Sequence, residues 1–169
     1  MTVLVAGVDN LFHGDDGFRC EVLRTLATRA LPASVVARDF GIAALDLRFW
    51  MERHEAVIVV DVAMRGHAPG TLTVIDPGPE LPGARAADDA AHGLTASDVI
   101  AWAASRRARG QRPHALRVLG CEPASFGDED EGALGLSPAV AAAVPRAVEL
   151  ALEIASSLAQ EVPRCTSSG

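Results

Sequence analysis

Two runs of consecutive apolar residues constrain the fold of this 169-residue chain more than any other feature. They are Thr2–Val8, with the sequence TVLVAGV, and Ala56–Val62, with the sequence AVIVVDV. Strands that are apolar at nearly every position are typical of parallel sheets, in which helices cover both faces. The two runs therefore predict an α/β fold in which they form the central strands.

Segments of helical and strand-like periodicity alternate along the rest of the chain. Helices are predicted from Asp15 to about Leu31, over Ala44–His54, from Thr95 or Ser97 to about Arg109, and from Ser137 to about Gln160 with a break at Pro145. Further strands are predicted at Ser34–Phe40, Thr71–Asp76 and Ala115–Cys121. This pattern predicts one α/β domain over residues 1–160, with a mixed but mainly parallel five-stranded sheet, and a disordered polar tail over residues 161–169.

The fourth strand is predicted to differ from the others in direction. Only Ala63–Pro69 separates it from the third strand. Because a parallel crossover needs about a dozen residues or more, the fourth strand is expected to run antiparallel to its neighbour.

Charge and cysteine usage restrict the possible partners and the compartment. The chain carries 22 acidic and 15 basic residues, whereas nucleic acids and anionic membranes both bind basic surfaces. Neither is therefore an expected partner. The N-terminus lacks the charged segment of a signal peptide, and Cys20, Cys121 and Cys165 show no CxxC spacing. These features predict a cytoplasmic protein without disulfides, in which Cys20 and Cys121 are buried as small apolar residues.

Acidic residues stand where the predicted parallel strands end. Asp15 and Asp16 follow the first strand, Asp39 ends the second, and Asp61 follows four apolar residues in the third. The carboxyl ends of parallel strands meet at one edge of the sheet, where α/β proteins bind ligands. A helix cap accounts for one of the adjacent pair, but Asp61 precedes a loop, and burying it unpaired is unfavourable. The sequence thus predicts a site containing Asp61 and either Asp15 or Asp16.

His92 is the candidate for a third ligand, because it lies in a loop segment, Ala91-His92-Gly93-Leu94. Two carboxylates and one imidazole favour nickel, zinc or iron, whereas Mg²⁺ and Ca²⁺ prefer oxygen ligands alone. The alternative is that His92 only packs within its loop, and composition favours neither interpretation.

Other enzyme classes lack their sequence signatures in this chain. Gly7-Val8-Asp9 follows a strand, but without the GxGxxG spacing of dinucleotide-binding proteins. A receiver-type domain also has acidic residues at its strand ends, but it needs a lysine, and every basic residue here is arginine. The GxSxG motif of serine hydrolases is absent.

Five blocks of the sequence occur in the order typical of one enzyme family. They are the stretch from Gly7 to Gly17, similar to G-x-G-N-x-x-x-x-D-[DE]-G; Asp39-Phe40-Gly41, in place of Asp-Gly-Gly; Val57–Asp61 followed by Pro69-Gly70-Thr71; His92-Gly93-Leu94; and Gly135-Leu136-Ser137-Pro138. Together they resemble the hydrogenase maturation endopeptidases, the nickel-dependent proteases that process the large subunit of [NiFe] hydrogenases. The resemblance extends from Val3 to about Leu158.

The resemblance implies a single three-layer domain, with helices on both faces of a five-stranded sheet, in a monomeric protein. It also implies an endopeptidase that removes a short C-terminal extension from the large-subunit precursor of a [NiFe] hydrogenase after nickel insertion. The metal-contacting residues of the family map onto Asp16, Asp61 and His92. The nickel belongs mainly to the substrate, so the free site is expected to be empty or to hold another divalent metal. Asn10 and Phe12 are expected to contact the substrate.

The role of the metal stays open at this stage. It either polarises the scissile carbonyl or activates water, or it only docks the substrate. In the docking case Asp39 or Asp16 is the candidate base, although Asp39 fits equally well as a turn residue that bonds the backbone two residues on. Asp9 stands where the family has glycine, so it either occupies a left-handed turn or adds a third carboxylate.

Two other functions are compatible with the same residues. One is a non-catalytic accessory protein that binds nickel or another divalent metal. Replacing Asp16 or His92 in such a protein would weaken metal binding, and the length of the substrate would be the same with either protein. A Mg²⁺-dependent hydrolase of small molecules would use Asp16 and Asp61 and would tolerate the loss of His92.

Overall fold

The structure, a computed structural model, describes residues 1–7, 14–41, 44–78, 96–124 and 135–161. These residues form five strands: β1 (Val3–Gly7), β2 (Val35–Asp39), β3 (Ala56–Val62), β4 (Leu72–Ile75) and β5 (Ala115–Cys121). They also form four α-helices: α1 (Phe18–Ala27), α2 (Ala44–Met51), α3 (Ala96–Ala108) and α4 (Pro138–Glu161). A 3₁₀ turn over Gly14–Gly17 precedes α1. Each strand lies within one residue of its predicted bounds at either end.

The strand order in the sheet is β2-β1-β3-β5-β4, and every pair is parallel except β4 with β5. The two apolar runs, β1 and β3, are interior strands, as predicted. The prediction that β4 is antiparallel to its neighbour is also confirmed. That neighbour is β5 rather than β3, because the loop after β3 passes over the end of β5, where the Ala63 amide donates to the Cys121 carbonyl and the Gly70 amide to the Glu122 carbonyl.

Alternate residues of the interior strands face two separate hydrophobic clusters. One contains Val3, Val5, Ile58 and Val60 with residues of α1 and α4. The other contains Leu4, Ala6, Val57 and Val59 with residues of α2 and α3. Each fully buried aliphatic side chain contributes roughly 1.5–3 kcal/mol from the removal of apolar surface from water. The result is the expected three-layer α/β domain, with its carboxyl-end edge left for a site.

The helix α1 is shorter than its sequence predicts. It begins at Phe18, after the 3₁₀ turn, and ends at Ala27 instead of about Leu31. The Thr28 and Arg29 amides bond to the carbonyls of Thr25 and Leu26, so the last turn tightens and the helix stops. Its apolar side chains Phe18, Val22, Leu23 and Leu26 are all buried.

The helix α4 runs without interruption through Pro145, so the predicted break there is wrong. Proline has no N–H to donate to the carbonyl of Ala141, but both residues are exposed, and water reaches that side of the helix. The opposite side, which includes Val140, Ala147 and Val148, packs in the core and keeps the helix straight across the proline. No helix in the described ranges is both long and apolar enough to cross a membrane. Residues 162–169 of the predicted tail lie outside the described residues.

Candidate functional site

The strand register brings the predicted strand-end carboxylates to one edge of the sheet. Gly7 of β1 pairs with Asp39 of β2 on one side and with Val60 of β3 on the other. Asp61 lies one residue beyond that level and pairs with Gly120 of β5. Its Oδ1 accepts a hydrogen bond from the Val62 amide at 2.8 Å, and the residue is partly exposed.

Asp15 has a structural role that removes it from the candidate ligands. It is 1% exposed, and its carboxylate accepts hydrogen bonds from the Ala124 amide at 2.7 Å, the Ser137 amide at 2.7 Å and the Ser137 hydroxyl at 3.0 Å. The carboxylate thereby joins the chain after β5 to the start of α4, across the Gly-Leu-Ser-Pro block. Asp16, the other member of the pair and the predicted metal contact, is 6% exposed.

Asp16 is held by an arginine that the sequence reasoning missed. The guanidinium Nη1 of Arg19 donates to the Asp16 carbonyl at 3.3 Å, and Arg19 is 1% exposed although it carries a charge. Its aliphatic part crosses Gly7, where an added Cβ would lie 3.2 Å from the Arg19 Cδ and 2.6 Å from the Leu23 Cδ1. One feature of the sequence could have indicated this role: Arg19 lies in the first turn of a helix, where the helix dipole disfavours a cation.

Asp39 was predicted to act either as a base or as a turn residue that bonds the backbone two residues on, and it makes that turn. Its Oδ1 accepts from the Gly41 amide at 2.9 Å, and its Oδ2 accepts from the Cys20 thiol at 3.2 Å. The Arg19 Nε lies 3.9 Å from Oδ1. Burial and the bond to Asp39 raise the pKa of Cys20 to about 11, so this thiol stays protonated at neutral pH and donates. Both Asp39 oxygens are therefore engaged within the protein.

The two described cysteines differ from one another. Cys121 is fully buried, as predicted, and burial raises its pKa to about 11, with further contributions from the charges of Asp15 and Glu122. Cys20 is only half-buried and makes the polar contact with Asp39, so its prediction as a buried apolar residue is wrong. Neither thiol is activated as a nucleophile, because attack requires the thiolate.

Glu122, just after β5, fixes the loop that follows Asp61. Its Oε2 accepts from the Arg65 amide at 2.8 Å and its Oε1 from the Gly66 amide at 3.1 Å. Desolvation acts to raise the pKa of this carboxyl, but hydrogen bonds from the backbone of Arg65, His67 and Gly66 outweigh it, and the pKa lies below its ordinary value. Glu122 thus stabilises the loop as an anion.

We expect the stability contribution of Glu122 to depend on pH. Its pKa is lowered on folding, so the contribution is full above the unfolded pKa and is lost as the pH falls through the folded one. Glu122→Gln should lower the melting temperature at pH 7, and the difference from wild type should shrink progressively under acid conditions. Thermal unfolding followed by circular dichroism over a pH series measures this difference.

The control for this experiment is Glu52→Gln, which changes an exposed carboxylate 3.7 Å from Arg106. Such surface pairs contribute little, so a small effect is expected at any pH. A Glu122→Gln difference that stays constant with pH would show that Glu122 acts by packing and not by charge.

Four of the predicted residues, Asp9, Asn10, Phe12 and His92, lie outside the described residues. Within the described ranges, no group of three or more histidine, cysteine, aspartate or glutamate side chains gathers to hold a metal. His54 is buried, its Nδ1 lies 2.7 Å from the Trp50 carbonyl, and its ring stacks on Trp50. The described part of the site therefore consists of Asp16 and Asp61 at one sheet edge, with Asp39 beside them on β2.

Comparisons with known proteins agree on one family. The family model described as Hydrogenase maturation protease matches residues 20–154. The chain is 38% identical over 150 residues to the hydrogenase expression/formation protein HupD of Rhodobacter capsulatus, an alignment that covers 86% of this chain and 67% of that protein.

Two solved structures have the same fold and a related sequence. The hydrogenase maturating endopeptidase HybD of E. coli superposes with a TM-score of 0.70 at 25% identity, covering 94% of each chain. A hydrogenase 2 maturation peptidase from a Thaumarchaeota archaeon superposes with a TM-score of 0.65 at 32% identity, covering 92% of this chain and 98% of that one.

Proposed function

Because the chain belongs to the hydrogenase maturation proteases, endopeptidases that process the hydrogenase large-subunit precursor, we propose that it removes a short C-terminal extension from a [NiFe] hydrogenase large subunit and recognises the nickel inserted there. The observation that carries the nickel proposal is the placement of two carboxylates at the carboxyl-end edge. Asp61 lies near the end of β3, and Asp16 lies in the 3₁₀ turn that packs against β3.

The donor set fits a metal that arrives with the substrate. Asp16, Asp61 and His92 would supply two carboxylates and one imidazole, a combination suited to nickel, zinc or iron. Three protein ligands leave coordination positions for the thiolates of the substrate, which bind nickel more strongly than carboxylates do. In this proposal the free enzyme recognises nickel as part of its substrate and binds divalent metals weakly by itself.

The hydrolytic step requires a base. Water attacks the scissile carbonyl carbon, a carboxylate accepts a proton from that water, and the C–N bond breaks as the leaving nitrogen gains a proton. Bound nickel would supply polarisation of the carbonyl. Asp16 is our first candidate for the base. Asp39 is the second candidate for the base. It ranks lower because its two oxygens already accept hydrogen bonds from the Gly41 amide and the Cys20 thiol.

We further propose a cytoplasmic monomer in which Asn10 and Phe12 contact the precursor. Protonated thiols at Cys20 and Cys121 fit a reducing compartment. The acidic charge balance supports the absence of nucleic acid and membrane from the partners.

Intact mass of the precursor, before and after incubation with the protein, tests the proposed function. We expect the nickel-loaded precursor to lose a short C-terminal peptide and the nickel-free precursor to stay intact. His92→Ala should reduce the cleavage rate by about 10²-fold or more if the imidazole holds the metal. His114→Ala is the matched control, because His114 is exposed and lies before β5, at the opposite edge of the sheet.

Other outcomes of the same experiment would contradict the proposal in different ways. Equal cleavage of nickel-free and nickel-loaded precursor would remove nickel recognition but keep the endopeptidase. Activity with Mg²⁺ alone, unchanged in His92→Ala, would instead favour the metal-dependent hydrolase. Metal binding without cleavage of a cognate precursor would favour the accessory protein.

A further inference from the structure

A groove of about 520 Å³ lies between the N-terminal parts of α1 and α4. Gly14 and Gly17 form one end of it, and Leu136, Val144 and Pro145 supply apolar walls. This volume lies within the range of ordinary ligand pockets, which are concave and mainly apolar. Cys20, whose thiol donates to Asp39, and Glu21 add polar groups to the lining.

The groove adjoins the 3₁₀ turn that contains Asp16. Gly14 and Gly17 bracket Asp15 and Asp16 in the 3₁₀ turn, so the groove begins one residue from Asp16. A Cβ added at Gly17 would lie 3.5 Å from the Leu136 side chain, so a larger side chain at Gly17 would extend into this space. If the scissile bond of a substrate lies at Asp16, the substrate residues next to that bond can enter the groove.

The lining of the groove suits an extended peptide. Ala141 lines it, and Pro145 four residues later has no N–H to donate to the Ala141 carbonyl. The Ala141 carbonyl thus lacks its usual helix donor, and Leu136 and Val144 offer surface for apolar side chains. An acceptor beside apolar walls is a usual combination in peptide-binding clefts.

We propose that this groove binds the C-terminal extension of the large-subunit precursor as an extended segment during cleavage, an inference that rests on the proposed function. The volume of the groove indicates which part of the substrate can occupy it. The folded, nickel-bearing part of the subunit is far larger than the groove, so it cannot enter it and has to contact the edge at Asp16 and Asp61 from outside. A terminal segment of chain fits the volume, and the extension is the part that continues beyond the scissile bond.

Two substitutions on α4 separate the groove from the rest of the helix. Ala141→Phe places a ring in the groove, whereas Ala142→Phe places the same ring at the next residue, which is also exposed but does not line the groove. Both positions face solvent, so both variants should fold, and their melting temperatures verify this.

The first measurement is an NMR titration with a synthetic peptide that covers the C-terminal residues of the precursor. We expect amide signals of Gly14, Gly17, Leu136 and Val144 to shift in wild type and in Ala142→Phe, and binding to weaken by about tenfold or more in Ala141→Phe. The absence of shifts at millimolar peptide, or equal shifts in both variants, would overturn the proposal. Since this measurement needs no cleavage, its result is independent of the catalytic proposal.

The second measurement is the rate of precursor cleavage by the same variants. Ala141→Phe should raise the KM or lower kcat/KM by about tenfold or more, while Ala142→Phe cleaves like wild type. Equal kinetics in the two variants would overturn the role of the groove in processing. A peptide that binds in the groove while the wild-type enzyme leaves the precursor intact would instead contradict the proposed function and leave peptide binding standing.

Discussion

Asp16→Asn is expected to reduce cleavage of the nickel-loaded precursor by on the order of 10²–10⁴-fold, whether Asp16 acts as a base or as a metal ligand. The amide keeps the size of the carboxylate but neither accepts a proton nor binds a cation as strongly. Because the Asp16 contact with Arg19 is made by its backbone carbonyl, the substitution leaves that contact in place. Intact mass measured over time gives the rate.

The matched substitution at the neighbouring residue should have the opposite consequence. Asp15→Asn converts one carboxylate oxygen into an N–H₂ group, which then faces the Ser137 amide at Oδ1 or the Ala124 amide at Oδ2. Losing charge-assisted hydrogen bonds at a buried site costs about 3 kcal/mol. For a chain of this size, that loss corresponds to a decrease of roughly 6–12 °C in the melting temperature.

The two variants together test the division of roles between the adjacent aspartates. Asp16→Asn should fail to cleave at temperatures at which circular dichroism shows it folded. Asp15→Asn should melt early and, below its melting temperature, retain measurable cleavage. If instead Asp15→Asn is stable and inactive while Asp16→Asn is active, the assignment of Asp16 to the site is wrong.

Gly70→Ala is expected to destabilise the fold by about 3 kcal/mol, the sum of a backbone term and a steric term. Gly70 has φ +82°, a conformation unfavourable for any residue with a Cβ. An added Cβ would lie 2.5 Å from the carbonyl oxygen of Ala139, in the first turn of α4. The loop cannot easily move away, because the Gly70 amide donates to the Glu122 carbonyl at 2.8 Å.

Gly66→Ala in the same loop separates the two terms. Gly66 has φ +79°, nearly the same backbone conformation, but nothing lies within 4 Å of an added Cβ. Its replacement should cost only the backbone term, about 1–2 kcal/mol. Urea unfolding of both variants gives the difference, and equal destabilisation would show that the close approach of Gly70 to α4 contributes nothing.

The strands and the edge at which their terminal carboxylates lie were predictable, because both depend on local patterns. An apolar run such as Ala56–Val62 has to be buried wherever it occurs, and its alternate side chains face opposite layers. Parallel strands bring their carboxyl ends to one edge, so Asp61 and the pair Asp15–Asp16 had to lie near each other. Helix ends were less accurate, as at Leu31, since competing turn hydrogen bonds decide where a helix stops.

The roles of individual carboxylates were not predictable from local patterns. Asp15 and Ser137 are 122 positions apart, and no pattern within either segment shows that they bond. The same applies to Asp39 and Cys20, to Glu122 and the loop at Arg65, and to Arg19, which is buried against Gly7. Each contact joins distant segments, so it exists only once the sheet has brought them together.

Composition and periodicity were thus sufficient for the fold class, the strand bounds and the antiparallel direction of β4, because burial of apolar runs and strand geometry are properties of short segments. The tertiary structure alone decided that β5 is the partner of β4, that α4 continues through Pro145, and that Asp15 bonds to Ala124 and Ser137. These outcomes depend on which distant groups satisfy each buried polar atom, and only the folded chain determines those partners.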